Sequence, residues 1–189
     1  EADPVSAFGG VMAFNRTVSA ALIQAIFDNK QFVEVMIAPD FDADALDLIA
    51  TKPNVRVLRT GGVNPAGGQT DYRSVEGGVL AQNADAVDED PAEFTVATRR
   101  APSKDELAQM AFAWKVAKSV KSNAIVVAAG GATVGVGAGQ MNRVNSARIA
   151  VEQAGEKAVG AVAASDAFLP FADTMEVLAA AGVTALIQP

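Results

Sequence analysis

Lys121-Ser-Asn-Ala-Ile-Val-Val-Ala-Ala-Gly-Gly-Ala-Thr-Val-Gly-Val-Gly-Ala-Gly-Gln-Met-Asn-Arg-Val-Asn-Ser-Ala-Arg148 reads as strand, turn, strand, glycine loop and helix start. Asn123–Ala128 and Thr133–Val136 are apolar runs of strand length on either side of Gly130-Gly131, and Asn142–Glu156 is the helix that follows. Between them the Asn123 amide and the guanidinium groups of Arg143 and Arg148 surround a glycine loop. That arrangement suits an anionic, amide-bearing ligand.

Upstream, Ser103 and Glu106 stand in the S-x-x-E relation of a capping box, and Leu107, Met110, Ala111, Trp114 and Ala117 recur on one helical face. The spacing predicts a helix over Lys104–Val120, with its Met and Trp in the core. Phe94–Ala97 is predicted as a strand. Downstream, Val159–Ala164 is a strand, Asp173–Ala181 a helix ended by Gly182, and Val183–Ile187 a last strand.

The first half repeats the alternation. Val11–Phe14 is a short strand, Ser19 caps a helix through Asn29, Val33–Ala38 is a buried strand, Asp42 caps a helix carrying Leu46 and Ile49, and Val55–Leu58 follows as a strand. This order predicts an α/β layer architecture with a largely parallel sheet. Thr60–Thr70 reads as a surface loop, Tyr72–Val75 and Val79–Gln82 as a hairpin flanking Gly77-Gly78, and the acidic Asp85–Glu93 as a linker. Two subdomains are expected, 1–88 and 89–189, and a structural duplication is compatible with the pattern.

Half of the 189 residues are apolar, enough for a sizeable core. The longest apolar stretches fall far short of the roughly 20 residues that span a bilayer. A net charge of -7 disfavours nucleic acid as a partner, because phosphate affinity comes from clustered Lys and Arg. Arg99-Arg100 is the one basic doublet and reads as a solvated turn. Cysteine and histidine are absent, so neither a disulfide framework nor a thiolate zinc site is expected, and the cytoplasm is the default location. The first ten residues lack signal-peptide regions and an initiator Met, which reads as a piece excised from something longer.

Gly135-Val-Gly-Ala-Gly-Gln140 invites a dinucleotide-fingerprint reading, but G-x-G-x-x-G requires glycine at 140, where Gln140 stands. The P-loop Lys-Ser/Thr pair is missing too, and the bland alternative is a tight strand-to-helix turn. Arg143 and Arg148 project about 140° apart on a helix, so one of them faces a given ligand. A cation in the first helical turn opposes the helix dipole, which makes Arg143 the more telling of the two, although it reads equally as a surface residue. Asn123 reads as a ligand amide or as a cap or turn residue. Ser165–Asp173 follows a buried strand, at the carboxyl end where open α/β sheets bind ligands. There Phe168 and Phe171 are suited to clamping a flat ring, whereas Asp173, with Glu176 three residues on, reads first as a helix cap.

Taken together, Ser6–Asn15, Glu34–Pro39, Tyr72–Gly78, Lys121–Asn123, Gly135–Gln140 through Arg143, and Ser165–Phe171 resemble, in order and over essentially the whole chain, a known family. It is the formyltransferase portion of the bifunctional phosphoribosylaminoimidazolecarboxamide formyltransferase / IMP cyclohydrolase family. The resemblance implies an α/β/α sandwich of the cytidine-deaminase-like fold, present twice and without the deaminase zinc. It implies formyl transfer from 10-formyltetrahydrofolate to the 5-amino group of 5-aminoimidazole-4-carboxamide ribonucleotide, in purine biosynthesis. By the same resemblance, Gly9, Glu34 and Asn123 would contact the ribonucleotide, and Arg143, Val144, Phe168 and Asp173 would line the folate pocket. In some members the aspartate matching Asp166 helps hold a monovalent cation.

The family's catalytic Lys-His pair lies upstream of the Ser-Ala-Phe-Gly-Gly motif with which this chain opens, and the cyclohydrolase domain lies further upstream. A middle fragment with little transfer activity of its own is therefore expected. The resemblance also implies a homodimer with a site built from both subunits. Two other readings stand beside it: a non-catalytic nucleotide-binding or dimerisation module on the same scaffold, and a dinucleotide-dependent enzyme.

Overall fold

The structure, a computed structural model, describes residues 6–62 and 69–189, so the loop predicted over 60–70 lies largely outside the described residues. The chain separates into two compact units that meet in sequence between Asp88 and Glu89.

In the first unit, β1 (Gly10–Ala13), α1 (Ala20–Asp28), β2 (Val33–Ala38), α2 (Ala43–Ala50) and β3 (Arg56–Arg59) alternate as predicted. The strands pair in parallel in the order β1-β2-β3. Both crossovers step the same way, so right-handed connections place α1 and α2 on one face, where they pack on each other. Val18, Ile23, Met36, Phe41, Ala45 and Ile49 form the core beneath them. Ser19 starts α1 by accepting from the Leu22 amide, as its position predicts, whereas Asp42 precedes α2 without a side-chain bond. The hairpin of β4 (Thr70–Val75) and β5 (Gly78–Asn83) turns at Glu76-Gly77, and its residues are exposed throughout.

The second unit carries α3 (Lys104–Ala117), β6 (Ile125–Ala129), β7 (Ala132–Gly137), α4 (Arg143–Ala154), β8 (Val162–Ser165), α5 (Asp173–Ala180) and β9 (Ala185–Ile187). Its strands lie in the order β7-β6-β8-β9. Only β8 and β9 run parallel, because a tight turn joins β6 to β7 and can connect only antiparallel strands. The expectation of a largely parallel sheet thus holds in the first unit and fails here.

β6 is buried on both faces. Ile125 and Val127 pack with Ala147, Ala150, Ala163 and Leu178 under α4 and α5, while Val126 and Ala128 pack with Met110, Ala113, Val162 and Ala164 under α3. The alternation is the two-residue period of a strand sandwiched between helical layers. Each fully buried Val or Ile here contributes about 1.5–3 kcal/mol.

The predicted capping box is present: Ser103 accepts from the Glu106 amide, and the Glu106 carboxylate accepts from the Ser103 amide at 2.7 Å. The basic doublet lies on an exposed bend, as read, and Arg100 in addition reaches that carboxylate. Arg100 grips it with two hydrogen bonds of 2.8 and 3.0 Å and donates a third, of 2.6 Å, to the Thr184 carbonyl. Arg100 therefore clamps the start of α3 to the segment entering β9. The Arg100 guanidinium, the Ser103 amide and Thr184 together hold the Glu106 carboxyl down at about 2.

Two further expectations are overturned. Among the described residues Phe94–Ala97 pairs with no strand; it follows a single 3₁₀ turn, Pro91–Glu93, capped by Asp90. Its Phe, Thr and Val suit a strand, but β-propensity is realised only against a neighbouring edge. Gly137, read with the turn, is not a turn glycine; it continues the strand predicted to hold Gly135. Both lie in β7 directly under α4, where an added Cβ would stand 1.9 Å from the Ala150 carbonyl oxygen and 1.9 Å from that of Ser146. Only a residue without a side chain lets helix and strand backbones approach so closely.

Candidate functional site

The register of the four-stranded sheet gathers Asn123, Arg143 and Asp166 at one end of it. Ile125 pairs with both Gly137 and Ser165, so the amino end of β6 lies between the carboxyl ends of β7 and β8. One residue beyond the ladder, Ala124 faces Asp166. The Asp166 amide donates to the Ala124 carbonyl at 3.4 Å, and the Ala124 amide donates to Asp166 Oδ1 at 2.9 Å. The loop after β7 closes on the same spot through the Gly139 amide, which donates to Lys121, and through the Asn123 amide nitrogens. Asn123 Nδ2 donates to the Gln140 carbonyl at 2.8 Å. The Ser122–Asn123 peptide is cis.

Asn142 then starts α4 by accepting from the Asn145 amide, which makes Arg143 the first helical residue. From there Arg143 Nη2 donates to Asp166 Oδ1 at 3.0 Å, and one turn on, the Ser146 hydroxyl donates to the Asn123 carbonyl at 2.8 Å. The Arg143 and Asp166 side chains retain 15% and 14% of their accessible surface, so the pair is largely shielded. A carboxylate at this place offsets the unfavourable field that a helix N-terminus imposes on Arg143.

Burial pushes the Asp166 carboxyl up. Hydrogen bonds from the Ser122 side chain, the Ala124 amide and Arg143 outweigh that cost and hold it below the ordinary carboxylate range. Arg143 Nε is buried and has no acceptor among the described residues. Native proteins rarely leave such a donor unmet, and functional sites are a place where they do.

Asn123, Arg143 and Asp166 are thus brought into one network, and Arg148, exposed and bonded to Asn145, is left out of it. Val144 is half-buried beside Arg143 at the start of α4. Phe168 and Phe171 sit on the loop after β8, 61% and 71% exposed, and neither ring stacks on another among the described residues. Asp173 is the first residue of α5 rather than its cap: Ala172 holds the cap position, and the Asp173 carboxylate accepts from the Thr174 amide. The loop that carries Phe168 and leads to Asp173 leaves the same end of the sheet, and the Leu169 amide is tied to Gln188 beyond β9.

In the first unit, Gly9 and Glu34 meet at the amino ends of β1 and β2. Gly9 has φ +71°, and a Cβ there would lie 2.8 Å from Glu34 Oε1. Nearby, Phe8 stacks on Phe32 with ring centroids 4.7 Å apart, and Gln31 Nε2 donates to the Ala7 carbonyl. A depression of ≈ 400 Å³ among Phe27, Lys30, Phe32, Val33, Lys52 and Val55 takes in none of the predicted site residues. Among the described residues no group of three or more His, Cys, Asp or Glu side chains is placed to hold a metal ion.

Sequence reasoning missed Ser122, Ser146 and the pairing of Asp166 with Arg143. Ser146 carried a signal: it is a polar residue on the Ala147, Ala150, Ala154 stripe of α4, and a buried hydroxyl there must find an acceptor.

Comparison with known proteins decides the family. A family model described as AICARFT/IMPCHase bienzyme matches residues 1–153. The chain belongs to the AICARFT/IMPCHase bienzyme family. Among curated relatives of this bienzyme family, the bifunctional purine biosynthesis protein PurH of Trichormus variabilis is 50% identical over 188 residues. Proteins of the same name from Anoxybacillus flavithermus and Xanthomonas oryzae pv. oryzae are 49% and 53% identical, over 189 and 193 residues. The alignments cover 99–100% of this chain and 36–37% of the relatives, so the chain spans little more than a third of their length. No helix among the described residues is long and apolar enough to cross a membrane.

Proposed function

We propose that this chain supplies ligand-binding surfaces for phosphoribosylaminoimidazolecarboxamide formyl transfer, the formyltransferase half of the bienzyme, in purine biosynthesis. The observation that carries the reading is the single network joining Asn123, Arg143 and Asp166 at the carboxyl ends of β7 and β8, with a buried Arg143 N–H still seeking an acceptor. In the reaction, the 5-amino nitrogen of the ribonucleotide attacks the formyl carbon of 10-formyltetrahydrofolate. The bond from that carbon to N10 breaks, N10 takes a proton, and the amine loses one.

Within this scheme Asn123 reads the ribonucleotide carboxamide. One of its Nδ2 protons is committed to Gln140, which leaves the other and Oδ1 to donate and accept. Glu34, over Gly9, orients the amine. Arg143 meets polar acceptors of the folate, while Val144, Phe168 and Asp173 line its pocket. The reading extends to a cytidine-deaminase-like sandwich in each of two subdomains, 1–88 and 89–189, to a cytoplasmic homodimer and to a site that needs both subunits. Asp166 is the residue that family resemblance links to a monovalent cation, but its charge is met by the Arg143 guanidinium.

A positioned general acid/base typically contributes about 10²–10⁴-fold. The chain has no histidine, so turnover by the isolated chain is expected to be slight. The test has two arms. Calorimetric titration is expected to show binding of both 5-aminoimidazole-4-carboxamide ribonucleotide and tetrahydrofolate, with Asn123→Ala weakening the first and Arg143→Ala the second. Binding of neither ligand would favour a non-catalytic module, and binding of NAD alone a dinucleotide enzyme. Release of tetrahydrofolate at the rate of an intact bienzyme would show that the proton-transfer groups have been misplaced.

A further inference from the structure

Asp166 has no assigned partner on either substrate, yet two segments converge on its carboxylate. The segment entering β6 reaches it through the Ala124 amide and the Ser122 side chain, and the start of α4 through Arg143. We propose that Asp166 is a positioning residue of the transfer site: it fixes the Arg143 guanidinium toward the folate and, through Ala124, fixes Asn123 toward the ribonucleotide. The proposal rests on the ligand assignments made above and deepens them.

The geometry favours this role over plain stabilisation. Arg143 is a long side chain at a helix N-terminus, where a cation is disfavoured, so it needs a reason to be held at 3.0 Å from a carboxylate with little of either group exposed. Shielded ion pairs add little net stability against apolar replacements of the same size, but they are directional and can fix one arrangement. The Asp166 oxygen that receives Arg143 also receives the amide next to Asn123, and the Asn123 carbonyl in turn receives Ser146 from α4. The closed ring therefore links the two binding groups, and a shift of Arg143 is felt at Asn123.

Replacing the carboxylate by an amide separates the roles. Asp166→Asn keeps an oxygen for the Ala124 amide and removes the charge that holds Arg143. In the 189-residue chain, Asp166→Asn is expected to weaken tetrahydrofolate binding about tenfold, and Arg143→Gln by a similar factor. The double variant should be no weaker than the worse single one, because groups acting through one another are not additive. Asp166→Glu should recover part of the affinity. In ¹⁵N spectra, the Arg143 Nε–H signal should be sharp in the wild type and broadened by exchange in Asp166→Asn, with the Ala124 amide signal retained in both.

The spectra report on positioning whether or not ligand binds. If the wild type fails to bind tetrahydrofolate, the folate assignment falls, and an Arg143 signal that depends on Asp166 still upholds the positioning role. Should Asp166→Asn not fold, Arg143→Gln decides: lost affinity with an altered Ala124 amide shift supports the link, and an Ala124 shift identical to wild type overturns it. Unchanged affinity and an unchanged Arg143 signal in folded Asp166→Asn, or single effects that multiply in the double variant, would also overturn the proposal.

Discussion

Gly137→Ala tests how α4 is seated, and through it the whole site. The added Cβ would lie 1.9 Å from the Ser146 carbonyl oxygen and 2.5 Å from its carbon, where ordinary contact begins at 3.4 Å. Both neighbours are backbone, so no rotamer change relieves the clash, and α4 must retreat by about 1.5 Å over its first two turns. Overpacking of this kind costs about 1–3 kcal/mol. Loss of glycine's freedom in the unfolded chain offsets about 0.4–1 kcal/mol of that. A net loss of about 1.3 kcal/mol in a unit of this size lowers the melting midpoint by about 5–10 °C. Trp114, the single tryptophan, packs against the α3 side of the same sheet, so its fluorescence follows the second unit. Gly78→Ala is the control, since its Cβ meets nothing within 4 Å and its φ is not positive. Tetrahydrofolate affinity should fall with Gly137→Ala as well, because the residues displaced include Arg143 and Ser146. A midpoint within about 2 °C of wild type, with binding intact, would refute the seating of α4 on β7.

Glu106 titrates lower folded than unfolded, so its contribution to stability is complete above the ordinary carboxylate range and is lost as pH falls from there through about 2. Urea midpoints followed by Trp114 should therefore drop more steeply between pH 4.5 and pH 2 in the wild type than in Glu106→Gln. Parallel slopes would show that the Arg100 clamp is not formed in solution. Ser103→Ala removes one half of the capping box of α3 and should cost about 1 kcal/mol in the same assay. Gly9→Ala puts a side chain at φ +71° and against Glu34 Oε1, and should weaken ribonucleotide binding while leaving the Trp114 transition where it was.

Much of the fold was legible because it depends on local chemistry. Val33–Ala38 emerges with the boundaries read from its apolar run, and α3 begins where Ser103 and Glu106 place it. Each unit's strand direction is harder to read, since it depends on what lies between strands: whole helices give β1-β2-β3 their parallel order, and the Gly130-Gly131 turn reverses β7. Phe94–Ala97 misled because strand propensity says nothing about whether an edge is within reach. Gly137 misled because a glycine before a helix looks the same whether it shapes a turn or lets a helix lie close on a strand. At the site, Asn123 and Arg143 could be singled out from residue type and place. Their link through Asp166 could not, because it is made across three segments by the sheet register.

The loops around Asn123, Arg143 and Asp166 are proposed to form one ligand-binding cleft. The most direct test is the backbone amide spectrum of the ¹⁵N-labelled chain as 5-aminoimidazole-4-carboxamide ribonucleotide and then tetrahydrofolate are added. Amides of residues 122–124, 139–146 and 166–168 should move together at saturation. Perturbations confined to other surfaces, or scattered over these three segments with unrelated affinities, would contradict it.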